Sequence, residues 1–138
     1  MIYKDVESLI SLNNLNFISK DIKRPWGGFY LIDESQLQTF SNLFFNKMDI
    51  SKLYNSGKLS PKILVIKPKK RLSWQYHYRR SEIWSVIKGS IKIIKSDDNT
   101  EKKEFILNEG DQIKIKKKER HRIVGLDDYA LVAEIWIH

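Results

Sequence analysis

Three polar residues lie close together in the stretch Trp74-Gln-Tyr-His-Tyr-Arg-Arg-Ser-Glu-Ile-Trp84: Gln75, His77 and Glu82. The segment alternates as a β-strand does. Residues i and i+2 of a strand point to the same side, so Gln75 and His77 share a face, and Glu82 joins them if the strand turns over and runs back. A fourth donor must come from elsewhere. The chain has 3 histidines, His77, His121 and His138, and His121 is the obvious candidate. Two imidazoles, a carboxylate and an amide oxygen form a borderline-hard set for one divalent metal, zinc first, with manganese, iron and nickel also suited. A second reading stays open on spacing alone: Glu82 pairs with Arg80, or with Arg122 across a barrel, and His77 is a plain polar core residue. In either case an inward Glu82 must be neutralised, because a buried carboxylate without a partner is costly.

Such a set needs strands to hold it. From Lys62 onward the chain reads as short strands broken by turns. The strands are Lys62–Lys67, Arg71–Tyr78, Ile83–Ile87, Ser90–Lys95, Lys103–Leu107, Gln112–Lys117, His121–Val124 and Ala130–Ile137. The breaks fall at Pro68-Lys-Lys, Lys88-Gly89, Asp97-Asp-Asn-Thr100, Asn108-Glu-Gly110 and Gly125-Leu-Asp-Asp128. Strands at this spacing predict a small barrel or jelly roll, in which closure or stacking hides the sheet edges. Upstream, the pattern predicts a short helix in Val6–Leu12, a turn over Asp21–Gly28 and a strand at Phe29–Ile32. A second helix is expected from Asp33–Ser35 to about Lys47, with Leu37, Phe40 and Phe44 on one face, followed by a loop over Asn55–Pro61. Residues 1–60 thus form an expected N-terminal arm on a β core of 61–138, all in one domain.

Composition narrows the class. Hydrophobic residues make up 41% and charged residues 30%, a balance that sustains a packed core rather than disorder. There is no cysteine, so disulfides and thiolate metal sites are excluded. Neither a membrane-length apolar run nor a signal-peptide core occurs, so a cytoplasmic protein with no membrane partner is expected. The net charge of +8 (25 basic minus 17 acidic residues) favours anionic partners. The lysines are scattered along strands, as at Lys92, Lys95, Lys114 and Lys116. They read as a solvated surface guarding sheet edges, and with no recognised binding motif no nucleic-acid partner is expected. Trp26, Trp74 and Trp84 read as packing or rim residues rather than sugar platforms.

From Arg24 to the end the chain resembles a cupin, in particular the C-terminal isomerase domain of type II phosphomannose isomerase/mannose-1-phosphate guanylyltransferase proteins. Gln75-x-His77, four residues, Glu82, six residues and Gly89 keep the spacing of the first cupin motif. Gln stands at the position of the first histidine, a substitution that phosphomannose isomerases show. Gly110 and His121 hold the ends of the second motif at the right separation, and Arg24-Pro-Trp-Gly27 matches the signature that opens that isomerase domain. The departures are Lys69 for the first-motif glycine, and Lys116 and Lys118 for the proline and glycine of the second.

The resemblance implies an all-β fold, a cupin-type double-stranded β-helix (jelly-roll barrel), here with an N-terminal arm and one short helix. It also implies a metal held by Gln75, His77, Glu82 and His121, and a phosphorylated sugar as partner: mannose 6-phosphate interconverted with fructose 6-phosphate. A proton must then leave C2 and return at C1. Glu134, on the alternating strand Ala133-Glu-Ile-Trp136, is the side-chain candidate for that transfer, a metal-bound hydroxide is the other, and Arg80 is set beside Glu134 as a catalytic candidate. Arg24, Arg71 and Arg122 are expected at the phosphate. The non-catalytic alternative is a metal- or sugar-binding cupin. Cupins commonly pair, and outward Ile83 and Ile87 offer an apolar face for a homodimer.

Overall fold

The computed structural model describes residues 2–47, 49, 51, 53, 57–75, 81–96, 103–117 and 119–138. Two antiparallel sheets dominate it. The larger has six strands in the order β1-β2-β3-β9-β4-β7 and the smaller has three, β6-β5-β8. Their ranges are β1 Phe17–Arg24, β2 Gly27–Ile32, β3 Leu59–Ile66, β4 Ser81–Lys88, β5 Ile91–Ser96, β6 Lys103–Leu107, β7 Gln112–Ile115, β8 Arg120–Gly125 and β9 Ala130–Ile137. Helix α1 spans Ile2–Leu12, and a 3-10 turn at Glu34–Gln36 leads into α2, Leu37–Phe44.

The alternation of the strands builds two separate cores. Leu64 and Ile66 of β3, Trp84 and Val86 of β4, and Ala130 and Val132 of β9 pack with Ile91, Ile93, Ile115 and Ile123 between the two sheets. The intervening residues, Ile63, Val65, Ile83, Leu131, Ala133, Ile135 and Ile137, point to the other face of the larger sheet. There they meet Val6 and Ile10 of α1, Leu37 and Phe40 of α2, and Tyr30, Ile32 and Phe45. Both faces of the larger sheet are therefore apolar and covered, which explains why β3, β4 and β9 read as nearly continuous hydrophobic runs. The hydroxyl of Tyr30 donates to Glu7 Oε2 at 2.9 Å, and Lys20 Nζ lies 3.2 Å from the same oxygen. These contacts fasten α1 to β1 and β2.

Several expectations change. Residues 1–60 are more than an arm, since β1, β2 and the start of β3 are paired members of the larger sheet. The expected turn at 21–28 contracts to Pro25-Trp26 between β1 and β2. The expected helix to Lys47 divides into a 3-10 turn and an eight-residue α2. It stops early because Phe45, 1% exposed, leaves helical geometry (φ −126, ψ 39) to enter the core, and Gln112 Nε2 donates to the carbonyl of Phe44. In the predicted strand Arg71–Tyr78, the described residues make only single bridges, Arg71 to Val124 and Gln75 to His121. Residues 76–78 lie outside the described set. Ile83 is 2% exposed beneath the chain's own helices, so the face expected to pair with a second copy is already filled. No helix among the described residues is long and apolar enough to cross a membrane.

One backbone position anchors the site's edge. Gly27 has φ +140, and a Cβ there would collide with the carbonyl oxygen of Val65, which adjoins its β3 partner Ile66. Only glycine allows this approach. Gly27→Ala is expected to cost about 1–3 kcal/mol through the strained dihedral alone, with the clash added, and to appear as a clear fall in Tm in a thermal melt. A melt matching the wild type would mean β2 does not sit this close to β3.

Candidate functional site: a carboxylate pair beneath a cationic cleft

The inner face of the larger sheet carries the candidate site residues. Glu82 points inward because it shares its face of β4 with Trp84 and Val86, and Glu134 shares its face of β9 with Val132. In the register of β4 and β9, Trp84 stands opposite Glu134 and Glu82 opposite Trp136. On the other side of β9, Lys62 of β3 stands opposite Glu134. One row across the sheet is thus Trp84, Glu134, Lys62. His121 enters from the facing sheet, on the same side of β8 as Ile123.

The two carboxyl groups are deeply buried, Glu82 at 1% and Glu134 at 5% exposure. Trp84 Nε1 donates to Glu134 Oε2 at 2.8 Å. His121 Nε2 lies 3.6 Å from Glu82 Oε2, and the imidazole meets the Trp84 ring edge-on with centroids 5.4 Å apart. Burial, reinforced by the negative charge of Glu82, pushes the Glu134 carboxyl up to about 8 against the opposing pull of Lys62 and the Trp84 indole. Two acids this close in a dry site disfavour each other's charged form, which is the direction of the shift.

A cleft of about 260 Å³ opens over Glu134. Gln75, Ser73 and Leu72 border it on one side, and Lys62, Trp136, Phe29, Trp26 and Arg24 on the other. Lys62 Nζ lies 3.3 Å above the centre of the Trp136 ring and 5.1 Å from that of Phe29. Arg24 is 6.0 Å from Phe29 and bridges to Asp21 at 2.9 Å. The mouth is therefore cationic and aromatic, and its floor is acidic.

Of the residues expected at a metal, Gln75, Glu82 and His121 come together. Gln75 and His121 exchange backbone hydrogen bonds of 2.9 and 3.0 Å. His77 and Arg80 lie outside the described residues. The donor chemistry suits a divalent cation: an imidazole and a carboxylate lie 3.6 Å apart, Gln75 pairs with His121 through its backbone and borders the cleft, and positive charge there would relieve two adjoining acids. His121 Nδ1 lies 3.2 Å from the carbonyl of Glu119. A proton on Nδ1 would be held there, giving Nε2 the lone pair that a metal needs. Among the described residues, no three His, Cys, Asp or Glu side chains form a metal-holding group by themselves, so Gln75 and the position of His77 would have to complete the set.

The arginines expected at a phosphate separate. Arg24 borders the cleft and Arg71 and Arg122 do not. Arg122 follows His121 on β8 and so projects from the opposite face; its guanidinium lies 5.8 Å from the Trp74 ring. Arg71 is exposed, bridged to Val124. The residues that sequence reasoning missed are Lys62, Trp136 and Phe29. Alternation alone places Lys62 on the side of Leu64 and Ile66, but the register that sets it beside Glu134 has no local signal.

Comparison with known proteins bears on the fold and the family. The alginate biosynthesis protein AlgA of Pseudomonas aeruginosa is 27% identical over 105 residues, covering 76% of this chain and 16% of AlgA. The chain thus spans about a sixth of that relative's length. Among solved structures, CapF in complex with the inhibitor 3-isopropenyl-tropolone superposes with a TM-score of 0.63 at 13% identity, over 90% of this chain and 30% of CapF. A deletion mutant of Bacillus subtilis oxalate decarboxylase OxdC gives 0.62 at 16% identity, over 86% of this chain and 27% of the other. Identities this low speak for the fold alone, and the fold they share is the cupin sandwich. The sequence profile of the mannose-6-phosphate isomerase C-terminal family matches residues 36–132, a span that takes in Gln75, Glu82 and His121, and the chain belongs to that family.

Proposed function

We propose that the protein is a metal-dependent sugar-phosphate isomerase that interconverts mannose 6-phosphate and fructose 6-phosphate. The observation that carries this reading is the pairing of Glu134 with a cationic mouth: a buried carboxyl with a raised pKa forms the floor of a cleft rimmed by Lys62 and Arg24. An aldose–ketose isomerisation needs a group that takes a proton from one carbon and returns it to the next. A carboxyl poised near neutral pH suits both halves of that exchange. Glu134 takes the proton from C2 of the open-chain aldose and delivers it to C1, while the hydroxyl proton on O2 is exchanged for one on O1. Lys62 and Arg24 hold the phosphate at the rim, and Trp136 and Phe29 shape the wall beneath it.

Gln75, His77, Glu82 and His121 would hold the divalent metal, with zinc or manganese the first to test. When bound, the metal supplies Lewis-acid polarisation of the sugar oxygens. A cytoplasmic site of action and a homodimer through some surface other than Ile83 and Ile87 complete the reading.

Purified protein loaded with zinc or manganese should interconvert the two sugar phosphates, and a folded, loaded protein without turnover would reject the reading. Thermal stabilisation by mannose 6-phosphate in the absence of turnover would instead identify a binding cupin. His121→Ala and His77→Ala should each abolish stoichiometric metal in elemental analysis, and unchanged metal content would place the site elsewhere.

Glu134→Gln should lower kcat by about a hundredfold or more. It should also change the pH dependence of stability. The folded-state pKa of about 8 lies above the ordinary 4.5, so the native state binds the proton more tightly than the unfolded chain. That contribution is full below about pH 4.5 and is lost as pH rises through 8. Metal-free wild type should therefore lose Tm between pH 5 and 8 more steeply than Glu134→Gln, and parallel curves would contradict the raised pKa.

A further inference from the structure

We propose that Trp84 is a positioning residue for the proton-transferring carboxyl: its indole N–H, donated to Oε2 of Glu134, fixes that side chain so that Oε1 is the oxygen offered to the sugar. The inference rests on the isomerase reading above. Its own support is geometric. The hydrogen bond is 2.8 Å, and Trp84 and Glu134 are directly opposed across β4 and β9, so the two side chains meet by register. Trp84 is 2% exposed and wedged into the core with Leu64, Val86 and Val132, which leaves its ring one orientation. The ring's contact with His121, 5.4 Å between centroids at 69°, fixes it from the opposite sheet as well.

A glutamate has three side-chain torsions and would otherwise choose among several partners. Here the alternatives are close. Lys62 stands opposite Glu134 on β3, and Glu82 interacts with it from β4. A carboxylate drawn to Lys62 would be held at the phosphate end of the cleft, away from the carbons that exchange the proton. The indole donor counters that pull, and it is an uncharged donor that cannot itself take the proton. One rigid ring thereby sets the acid of β9, which moves the proton, relative to the imidazole of β8, which the proposed function assigns to the metal.

Trp84→Phe keeps an aromatic ring against His121 and removes the donor. In metal-loaded enzyme kcat should fall about ten- to a hundredfold, the loss of one hydrogen bond to a charged group together with misplacement of the base. KM and metal stoichiometry should stay within about twofold, because neither the phosphate contacts nor the metal donors change. Wild-type kcat in Trp84→Phe overturns the proposal, as does a loss confined to KM or metal content. Should Trp84→Phe fail to fold, ¹⁵N-labelled wild type and Glu134→Leu give a readout free of turnover. The Trp84 indole N–H should resonate downfield, exchange slowly with solvent and move upfield when the acceptor is removed. An indole signal identical in the two proteins overturns the proposal. A wild type with no turnover but a protected, acceptor-dependent indole signal would reject the isomerase reading while leaving Glu134 held by Trp84.

Discussion

Two acids side by side in an apolar interior are the constraint around which this protein is arranged. Glu82 and Glu134 lie on adjacent strands, both almost fully buried, where two unscreened negative charges would be severely unfavourable. The surroundings answer in three ways. Burial and the neighbouring Glu82 push the Glu134 carboxyl upward, towards its neutral form. An indole N–H and an ammonium are supplied along the same row. An imidazole arrives from the facing sheet beside Glu82. Each answer depends on strand order: β9 must lie between β3 and β4, and β8 must face them across the inter-sheet core.

The same strand order accounts for the second core. Placing β9 centrally makes a broad sheet whose outer face is as apolar as its inner one, and the chain covers it with residues from its own first third. Helices α1 and α2 bury Ile63, Ile83, Ile135 and Ile137 from outside. The large sheet is therefore a middle layer, packed on both sides, with the buried acids and their cleft on the inner one.

Much of this was legible in the residues. The strands β6 and β9 fall where alternation and turn residues put them, and the inward direction of Glu82, His121 and Glu134 follows from the apolar residues two positions away. Alternation also holds the reason that Arg122 leaves the cleft, since an inward His121 obliges its neighbour to face outward. The neighbourhood of Glu134 was not legible. Trp136 shares the side of Glu134 by alternation, but Lys62 is recruited by cross-strand register, which depends on how residues more than 70 positions apart align. The early end of α2 was hidden for a related reason: helical periodicity continues past Phe44, but the place reserved for Phe45 lies in a core built mostly by distant strands.

The position of β9 has a consequence for altering the protein. Hydrogen-bonded neighbours lie on both of its edges and packed layers on both of its faces, so nearly every side chain along it answers to one core or the other. Room for redesign at the pocket is thus unevenly distributed. The floor is over-specified, and a change there propagates into two sets of contacts. The rim formed by the β1–β2 turn answers mainly to solvent, with Arg24 exposed and Trp26 only partly covered. Substitutions at Arg24 and Trp26 should change what the cleft admits with the least disturbance to the scaffold.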